Sequence, residues 1–555
     1  MDTPSKIYQE GLHGEASTTS ADVTVPAPSS PETLARLFPT PRLPPSVLAP
    51  ARLPGTGPEA TAALLKNLKD NHERSHIFFN HFLFHNHAAH HLLALYALGA
   101  AGPVLDAAYE DTHLDHMRDA FVAPESVTIT DENFTDYLGD DQYYNAWLKY
   151  FHRVVLEPGA TTTSILEKYL FSDRYNIRYP QQGKQQPQML NRFMEILLHP
   201  IIHVGYGAEF GLPGLIAEGL AWTACHPAGA TTLVTRHLFE LQRTTPVSDL
   251  ERQEPKWMPE SGSRLRALNI LSLMRRDPRF PSKLTGKLEY GAMLRALGEL
   301  INKYAEMWDC EIESEGDLER CLEEVAFVGA LMYGVGSWDG DEAEYRADFF
   351  TAHVITSALF LPSICALVSR RSQTLLLRAH FLTSLTWWLA RGRPGFPLKE
   401  FVASPLPPIP NNETSRHPNT FPGARRTPAA CALPSSSSPY AAVPNPWYPI
   451  LSNALVHPNE HLCKVQRALA HFNTLYGHRE AGFAVEYLSK DGVDVDPEFA
   501  YLDGTVFLRV AWLTGAALGW VGEGEENTGV WDYQEFEKAA VEEMEMAKRQ
   551  GMAPI

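Results

Sequence analysis

Histidine pairs at one fixed spacing are the part of the sequence best suited to chemistry. With 22 His in 555 residues, chance predicts about one pair four positions apart. Five such pairs occur. On a helix this spacing places two imidazoles on one face, with Cβ atoms about 5–6 Å apart, so that two nitrogens can bind one ion. The pattern therefore favours a metal site. The pairs are His72/His76, His81/His85, His87/His91, His199/His203 and His457/His461.

The segment 195–209 gives the sharpest version of this pattern. Glu195, His199 and His203 follow one another at four-residue steps on a strongly apolar helix, and Pro200 removes a helix hydrogen bond beside them. We expect His199 and His203 to bind a metal, with Glu195 either orienting a ligand or taking no part. The alternative is a kinked core helix with two hydrogen-bonded histidines.

A His-rich stretch, 84–96, predicts a second helix that supplies ligands. Burying its four imidazoles costs free energy unless hydrogen bonds or a metal compensate. For any one of them a hydrogen-bonded core histidine is the simpler interpretation, but we expect at least one to be a ligand. The four are His85, His87, His90 and His91. A lone His353 on another apolar helix is more typical of a structural role.

A third group combines histidines with a lysine. His457, His461 and Lys464 share one helical face. A lysine would repel a cation unless it is neutral or has reacted with carbon dioxide to form a carbamate, which is an anionic oxygen ligand. The alternative is a surface Lys464 beside a helix-capping His457.

The elements that would position these residues are helices. Apolar residues recur at three and four positions rather than at two, which predicts an all-α body built from residues 59–403 and 447–521. Residues 1–58 form a Pro-rich tail that we expect to be disordered, and 404–446 a Pro/Ser-rich insert or lid. Residues 522–555 form an acidic C-terminal tail with a helix.

Composition narrows the class of partner and compartment. The 66 Asp+Glu exceed the 47 Lys+Arg, giving a net charge of -19 that disfavours nucleic-acid and anionic-membrane partners. The six cysteines contain no C-x-x-C pair and the N-terminus no signal peptide, so we expect a cytoplasmic protein. The uncharged stretch 349–369 is interrupted by His353 and Pro362, which favours a buried helix over a membrane span.

Several familiar motifs are missing or weak. No Rossmann, Walker or flavin fingerprint occurs in a suitable context, which disfavours a conventional flavin monooxygenase. Two E-x-x-H matches, Glu73/His76 and Glu110/His113, are reminiscent of carboxylate-bridged di-iron bundles. The second lies in too polar a segment to face a bundle core, so this interpretation is the weaker one.

Three blocks of sequence, taken together, resemble the questin oxidase-like family of fungal and bacterial oxygenases. They are FHNHAAHHLLALYALGA (84–100), LLHPIIHVGYGAEF (197–210) and HPNEHLCKVQRAL (457–469). The resemblance runs in order over nearly the whole predicted core. It leaves out the two Pro-rich segments and the acidic tail.

The resemblance implies a function and a metal. The implied reaction is the oxidative, Baeyer–Villiger-like opening of a ring in an anthraquinone or related aromatic polyketide by dioxygen. The implied cofactor is non-haem Fe(II) with a carbamylated lysine and no flavin. A reduced nicotinamide, NADPH, is implied as reductant, although the sequence shows no site for it. Carried onto this chain, the ligands are His199, His203, His353, one of His87 or His91, and Lys464, with His461 as a substitute.

Aromatic and charged side chains near these blocks are candidates for substrate contacts. Trp222, Trp387 and Trp388 would form walls for a flat polycycle. Tyr206, Glu195 and Arg378 are the candidate catalytic residues, and either Arg378 or Arg391 would pair with an ionised phenol or carboxylate. Each of the aromatic residues is more often ordinary core.

Two other classes of function stay open at this stage. One is a non-catalytic helical scaffold whose histidines bond to one another and whose Pro-rich arms bind a partner protein. The other is a metal-dependent hydrolase with Glu195 or Glu209 as general base.

Overall fold

The computed structural model describes fourteen ranges or single positions of the chain. They are residues 29–79, 84–114, 117, 127–179, 185–240, 259, 263–280, 290–339, 344–407, 445–489, 493–522, 524–525, 527 and 529–533. The predicted lid falls mostly outside these ranges, and so do residues 1–28 of the tail and the predicted C-terminal helix. Those predictions stay predictions.

The described chain is built from α-helices, which confirms the all-α prediction. In the first half these are α1 Pro31–Leu37, α2 Pro58–Arg74, α3 Ala88–Ala97, α4 Gly102–Glu110, α5 Tyr144–Leu156, α6 Thr162–Leu166, α7 Met189–Phe193, α8 Glu195–Phe210, α9 Pro213–Cys225, α10 Arg236–Glu240 and α11 Ala267–Arg276. In the second half they are α12 Tyr290–Glu306, α13 Glu315–Tyr333, α14 Phe349–Ala358, α15 Leu361–Cys365, α16 Arg370–Ala390, α17 Leu398–Ala403, α18 Trp447–Val456, α19 Glu460–Tyr476, α20 Phe483–Leu488 and α21 Val506–Leu518.

Strands are short in this part of the chain. β1 Trp338–Asp339 pairs antiparallel with β2 Glu344–Tyr345, with Trp338 opposite Tyr345. Short 3-10 turns cover Phe134–Tyr137, Asp141–Tyr143, Val335–Ser337 and Pro497–Tyr501, and a π turn, Glu167–Phe171, extends α6.

Four helices form the centre of the molecule. α8 packs against α3 and α14, and α19 packs against the same two helices. α3, α8 and α14 are apolar on nearly every side, which is typical of helices enclosed by others. Glycines allow the neighbouring segments to approach α8 closely. A Cβ on Gly205 would lie 2.3 Å from Phe360 Cβ, and one on Gly219 would lie 2.5 Å from Val204 Cγ2. The histidine-bearing blocks of the sequence therefore meet inside the core.

The uncharged stretch 349–369 forms two consecutive buried helices, α14 and α15. None of the helices in the described ranges combines the length and hydropathy needed to cross a membrane.

Two segments expected to be tails contribute to this core where the structure describes them. Ser30 caps α1 with Pro31 in its first turn, and the following Phe38 is buried against His72, with ring centroids 4.9 Å apart. At the other end, Trp531 is buried, and the backbone of Asp532 bonds to Ala347 and Phe349. Composition did not predict the packing of either segment, because one buried aromatic side chain is enough to fix a short polar or Pro-rich segment on the core.

Candidate metal centre

Five buried histidines from different parts of the chain meet between the central helices. His85 and His87 lie just before α3, His199 is on α8, His353 on α14 and His461 on α19. Three overlapping groups could each hold an ion, because the ligand atoms within each group lie within 4.8 Å of one another. The groups are His85/His87/His199, His199/His353/His461 and His87/Glu460/His461. With the neighbouring lysine these residues make up what we call the open cluster: His85, His87, His199, His353, Glu460, His461 and Lys464.

The distances in the open cluster suit one shared ion. His87 Nε2 and His199 Nε2 are 2.8 Å apart, and the rings of His85 and His199 have centroids 3.9 Å apart. The ring of His353 lies 4.7 Å from that of His199 and 5.1 Å from that of His461. Two nitrogens that bind one ion at about 2.0–2.1 Å lie about 3 Å from each other. The histidines therefore fit a metal without a large rearrangement.

Some of the buried polar atoms that have no hydrogen-bond partner among the described residues belong to the open cluster. They are His85 Nε2, His353 Nε2, His461 Nε2 and Lys464 Nζ, all buried. Nearly all buried polar atoms in proteins are paired, so such a group points to a water, an ion or a ligand. Neutral imidazole nitrogens are preferred ligands of iron, zinc and copper. The donor set therefore fits a transition-metal ion.

A hydrogen bond behind one ring and a carboxylate behind two others orient three of these histidines. The carbonyl of Phe349 accepts from His353 Nδ1 at 2.7 Å, which leaves Nε2 as a lone-pair donor. Glu460 Oε1 lies 3.2 Å from His461 Nδ1 and 3.3 Å from His87 Nδ1. Ligating histidines in metal sites are normally held in this way.

Burial keeps the imidazoles neutral. It lowers the pKa of His85, His87, His199 and His353 well below the ordinary value. Burial and then the neighbouring Lys464 lower the pKa of His461 to about 3. The histidines of the open cluster are therefore in the form that binds a metal near pH 7.

Lys464 lies among these rings. Its side chain is buried, and burial lowers the pKa of its ammonium group to about 8. A lysine with this pKa carries a substantial neutral fraction near neutral pH, and the neutral amine is the form that reacts with carbon dioxide.

The backbone before His199 is irregular. Leu197 and Leu198 have φ of 57° and 60°, and Pro200 lies inside the helix two residues later. A left-handed conformation costs an ordinary residue about 1–2 kcal/mol. Such strain persists where the surrounding packing enforces it, often at functional sites. This turn sets the direction of His199, which follows it directly.

A second group of buried residues lies one turn further along α8, around His203, and we call it the closed cluster: His72, His90, His203 and Glu218. His203 Nδ1 lies 3.0 Å from His90 Nε2, and its Nε2 lies 2.6 Å from Glu218 Oε2. The other oxygen of Glu218 bonds to His72 Nδ1. Both nitrogens of His203 are thus occupied by protein groups.

The structure therefore separates the histidines that the sequence grouped together. His199 groups with His85 and His87 on one hand and with His353 and His461 on the other, and Lys464 lies nearby. His203 belongs to the closed cluster, and His91 Nδ1 instead faces His113 Nε2 at 3.1 Å. His203 and His91 are in none of the ligand groups.

The three candidate catalytic residues lie outside the ligand groups. Glu195 Oε1 accepts a hydrogen bond from the backbone N–H of Ala230 at 2.6 Å. Arg378 pairs with Glu311 at 2.8 Å, so its charge is already compensated inside the fold. Tyr206 is buried with its ring 5.4 Å from that of His90, and burial raises its pKa.

Of the candidate aromatic walls, only Trp222 touches the open cluster. Its ring lies 4.7 Å from that of His85 and is completely buried. Trp387 stacks on Tyr290 at 4.3 Å, and Trp388 on Phe396 at 5.7 Å, as ordinary core residues do.

Sequence reasoning missed His85 as a specific member of the cluster and Glu460 entirely. His85 is two residues before His87 in a non-helical segment, where helical spacing has no meaning. Glu460 had a usable signal, because Asn459 is a typical N-cap that places the next residue in the first helical turn beside His461.

An open cleft of about 580 Å³ adjoins the first turn of α14. Asp348 and Thr351 from this turn line it, together with Arg346, Arg391 and Asp532. Arg391 Nε donates to Asp348 Oδ2 at 2.6 Å. The cleft lies within one helical turn of His353 along the chain and has the size of small-molecule sites.

Comparison with known proteins assigns the chain to a family. The family model described as questin oxidase-like matches residues 84–469, which is more than half of the chain. The chain belongs to the questin oxidase-like family. The matched range contains every residue of the open cluster.

Curated relatives of this family member come from fungi. Baeyer-Villiger monooxygenase AacuH of Aspergillus aculeatus is 28% identical, over 56% of this chain and 63% of that relative. Oxidoreductase AflY of Aspergillus parasiticus is 29% identical, over 53% and 55%. Baeyer-Villiger oxidase mdpL of Emericella nidulans is 28% identical, over 61% and 72%. The matched regions thus span between 55% and 72% of these relatives' length.

Proposed function

We propose that this protein is a metal-dependent oxygenase that opens a ring of an anthraquinone or related aromatic polyketide in a Baeyer–Villiger-like reaction. The observation that carries the proposal is the open cluster, in which buried imidazole nitrogens converge without partners among the described residues. The names of two relatives, a Baeyer-Villiger monooxygenase and a Baeyer-Villiger oxidase, support the type of reaction.

The proposed metal is iron(II), held by His87, His199, His353 and His461, with His85 as a further candidate. When bound, such an ion with a free coordination position supplies the binding and activation of dioxygen. The chain's own residues hold their rings neutral and oriented, and the surrounding apolar core excludes water from them.

We further propose that Lys464 is carbamylated. Its neutral amine adds to carbon dioxide, which forms an N–C bond, releases one proton and leaves an anionic oxygen in place of a cation. The buried, unpaired Nζ and its lowered pKa support this assignment. The change removes the like-charge conflict between an ammonium group and a metal ion.

The substrate in this proposal is a flat, oxygenated polycycle that approaches through the cleft beside α14. One oxygen atom enters the ring next to a carbonyl and the other leaves as water, with two electrons taken from a reduced nicotinamide such as NADPH. Arg391 and Arg346 offer donors to phenolate or carbonyl oxygens at the cleft. Trp222 forms one inner wall beside His85.

The competing classes have less support. A scaffold whose histidines satisfy one another describes the closed cluster but leaves the unpaired atoms of the open cluster unexplained. A hydrolase needs Glu195 or Glu209 as a base, yet Glu195 bonds to a backbone N–H and Glu209 pairs with Arg467.

The test combines metal content with oxygen dependence. Protein purified without added metal and protein loaded with iron(II) under anaerobic conditions are compared by elemental analysis, and oxygen uptake is then followed with a hydroxylated anthraquinone and NADPH. We expect about one iron per chain and substrate-dependent uptake. Absence of stoichiometric metal in both samples would overturn the proposal. Turnover of a substrate without oxygen would favour the hydrolase instead.

A further inference from the structure

Glu460 is the carboxylate of the open cluster, and it bridges two helices. It lies in the first turn of α19, directly after the N-cap Asn459, and its side chain is 24% exposed. One of its oxygens, Oε1, lies 3.2 Å from His461 Nδ1 on the same helix and 3.3 Å from His87 Nδ1 at the start of α3. A single acceptor therefore faces the back of two candidate ligands.

We propose that Glu460 is a positioning residue that fixes the tautomer and orientation of His87 and His461. By accepting from both Nδ1–H groups it leaves Nε2 of each ring with a lone pair for the metal. This inference rests on the proposed metal function. In this role Glu460 contacts neither the substrate nor the reacting atoms.

The arrangement of the rings supports this role. His87 Nε2 faces His199 Nε2 at 2.8 Å, and His461 Nε2 is buried without a partner. Both rings thus turn Nδ1 toward the carboxylate and Nε2 into the cluster. His353 repeats the arrangement with a different acceptor, because its Nδ1 donates to the carbonyl of Phe349.

A carboxylate suits this position better than a neutral acceptor. The ionised group increases the electron density of both imidazoles and adds a negative charge near the cation.

Glu460 also lies within reach of a direct ligand role, since it forms a group with His87 and His461. The two roles predict different outcomes. A direct ligand would leave both Nδ1–H groups free to exchange with solvent. A positioning residue protects them.

The experiment uses cobalt(II) in the full-length chain. Ligating imidazoles in a cobalt(II) protein give shifted N–H proton resonances that disappear in heavy water when exchange is fast. Among the protected signals of the wild type we expect those of His87, His353 and His461. Glu460→Ala should lose two and keep the one bonded to Phe349. Cobalt affinity, measured by chelator competition, should fall about 10–100-fold in Glu460→Ala and less in Glu460→Gln, with one ion per chain at saturation.

The matched control is Glu323→Gln, which removes a carboxylate that bonds to Arg479 elsewhere in the fold. It should change neither the signals nor the affinity. Wild-type affinity and all three signals in Glu460→Ala would overturn the positioning role. So would a wild type in which the His87 and His461 signals already exchange, together with lost affinity in Glu460→Ala, because that pattern would make Glu460 a direct ligand. A wild type that binds no cobalt or iron would overturn the proposed function, and this inference with it.

Discussion

His199 and His203 lie one turn apart on α8 and are equally buried. The groups that face their ring nitrogens differ. His203 has each ring nitrogen against a protein partner, Glu218 on one side and His90 on the other. His199 instead faces other histidines, among them His85, His87 and His353, in a group where several nitrogens lack any partner. In the closed cluster both nitrogens of His203 and both oxygens of Glu218 have protein partners, although His72 Nε2 and His90 Nδ1 have none among the described residues. In the open cluster three imidazole nitrogens and the lysine Nζ have none there.

The position of the carboxylate makes the difference. Glu218 lies between its histidines and uses both oxygens to occupy their inward nitrogens. Glu460 Oε1 instead lies 3.2 Å from His461 Nδ1 and 3.3 Å from His87 Nδ1, so it leaves Nε2 of both rings uncovered. The same residue types therefore build a structural network in one place and a candidate ligand set in the other.

The largest expected difference between the clusters is in metal binding. His199→Ala should reduce iron affinity and turnover more than about 100-fold, because it removes the ligand shared by two groups. His203→Ala should keep about one iron per chain but lose about 3 kcal/mol of stability, because Glu218 loses one partner of a buried network. Elemental analysis and urea unfolding measure the two effects. Loss of metal in His203→Ala with retention in His199→Ala would reverse the assignment.

The second effect is on stability and belongs to the closed cluster. Burial would raise the pKa of Glu218, but His72 and His203 outweigh it and lower the pKa to about 2 from 4.5. The shift contributes about 3 kcal/mol of stability, present above pH of about 4.5 and lost as the pH falls toward about 2. Glu218→Gln should therefore be less stable than the wild type at pH 7, and the gap should narrow through this window.

Urea unfolding at pH 7, 4 and 3 checks this prediction, with Glu323→Gln as the control carboxylate. Metal content should stay close to that of the wild type in Glu218→Gln. A gap that is constant from pH 7 to pH 3 would show that the charge of Glu218 does not stabilise the closed cluster.

Spacing along the sequence predicted the helices and the presence of a histidine-rich core, but not which histidines converge. The periodicity of 84–100 and 197–210 follows from local burial, so α3 and α8 could be predicted from residues near in the chain. The choice between His199 and His203 depends on Glu218 and Glu460, which come from α9 and α19. No local pattern records which carboxylate faces which ring.

The absence of long-range contacts from the sequence pattern also explains why the positions of His91 and Trp531 were not predicted. His91 shares a helical face with His87 in the sequence pattern, but α3 begins only at Ala88, so His87 lies at its cap with φ of -98° and ψ of 1°. Trp531 lies in an acidic segment, yet its Nε1 donates to Asn459 at 2.9 Å and its ring lies 6.2 Å from that of His461. Contacts distant in sequence decide both positions.

The third prediction tests whether Lys464 in the open cluster is carbamylated or carries an ordinary positive charge. Lys464→Arg keeps a positive charge but cannot form the carbamate, so iron affinity should fall about 10–100-fold while the helical fold is retained. Carbon-13 NMR with labelled bicarbonate should show one carbamate signal in metal-loaded wild type and none in the variant. The matched control is Lys168→Arg, at a lysine whose Nζ lies over the ring of Tyr169. A carbamate signal that persists in Lys464→Arg would rule out this lysine as its source.

The smallest effect is expected at Trp222, which lies between the two clusters. Its ring centroid lies 4.7 and 5.8 Å from those of His85 and His199, and 6.1 and 5.5 Å from those of His90 and His203. Its buried Nε1 has no hydrogen-bond partner among the described residues. Trp222→Phe creates a small cavity and also removes an unsatisfied donor, two contributions of about 1–3 kcal/mol with opposite sign. Stability and iron affinity should therefore change little, by less than about threefold for the affinity. A large loss of affinity without loss of stability would show that Trp222 couples the clusters, and that the closed cluster helps to set the metal site.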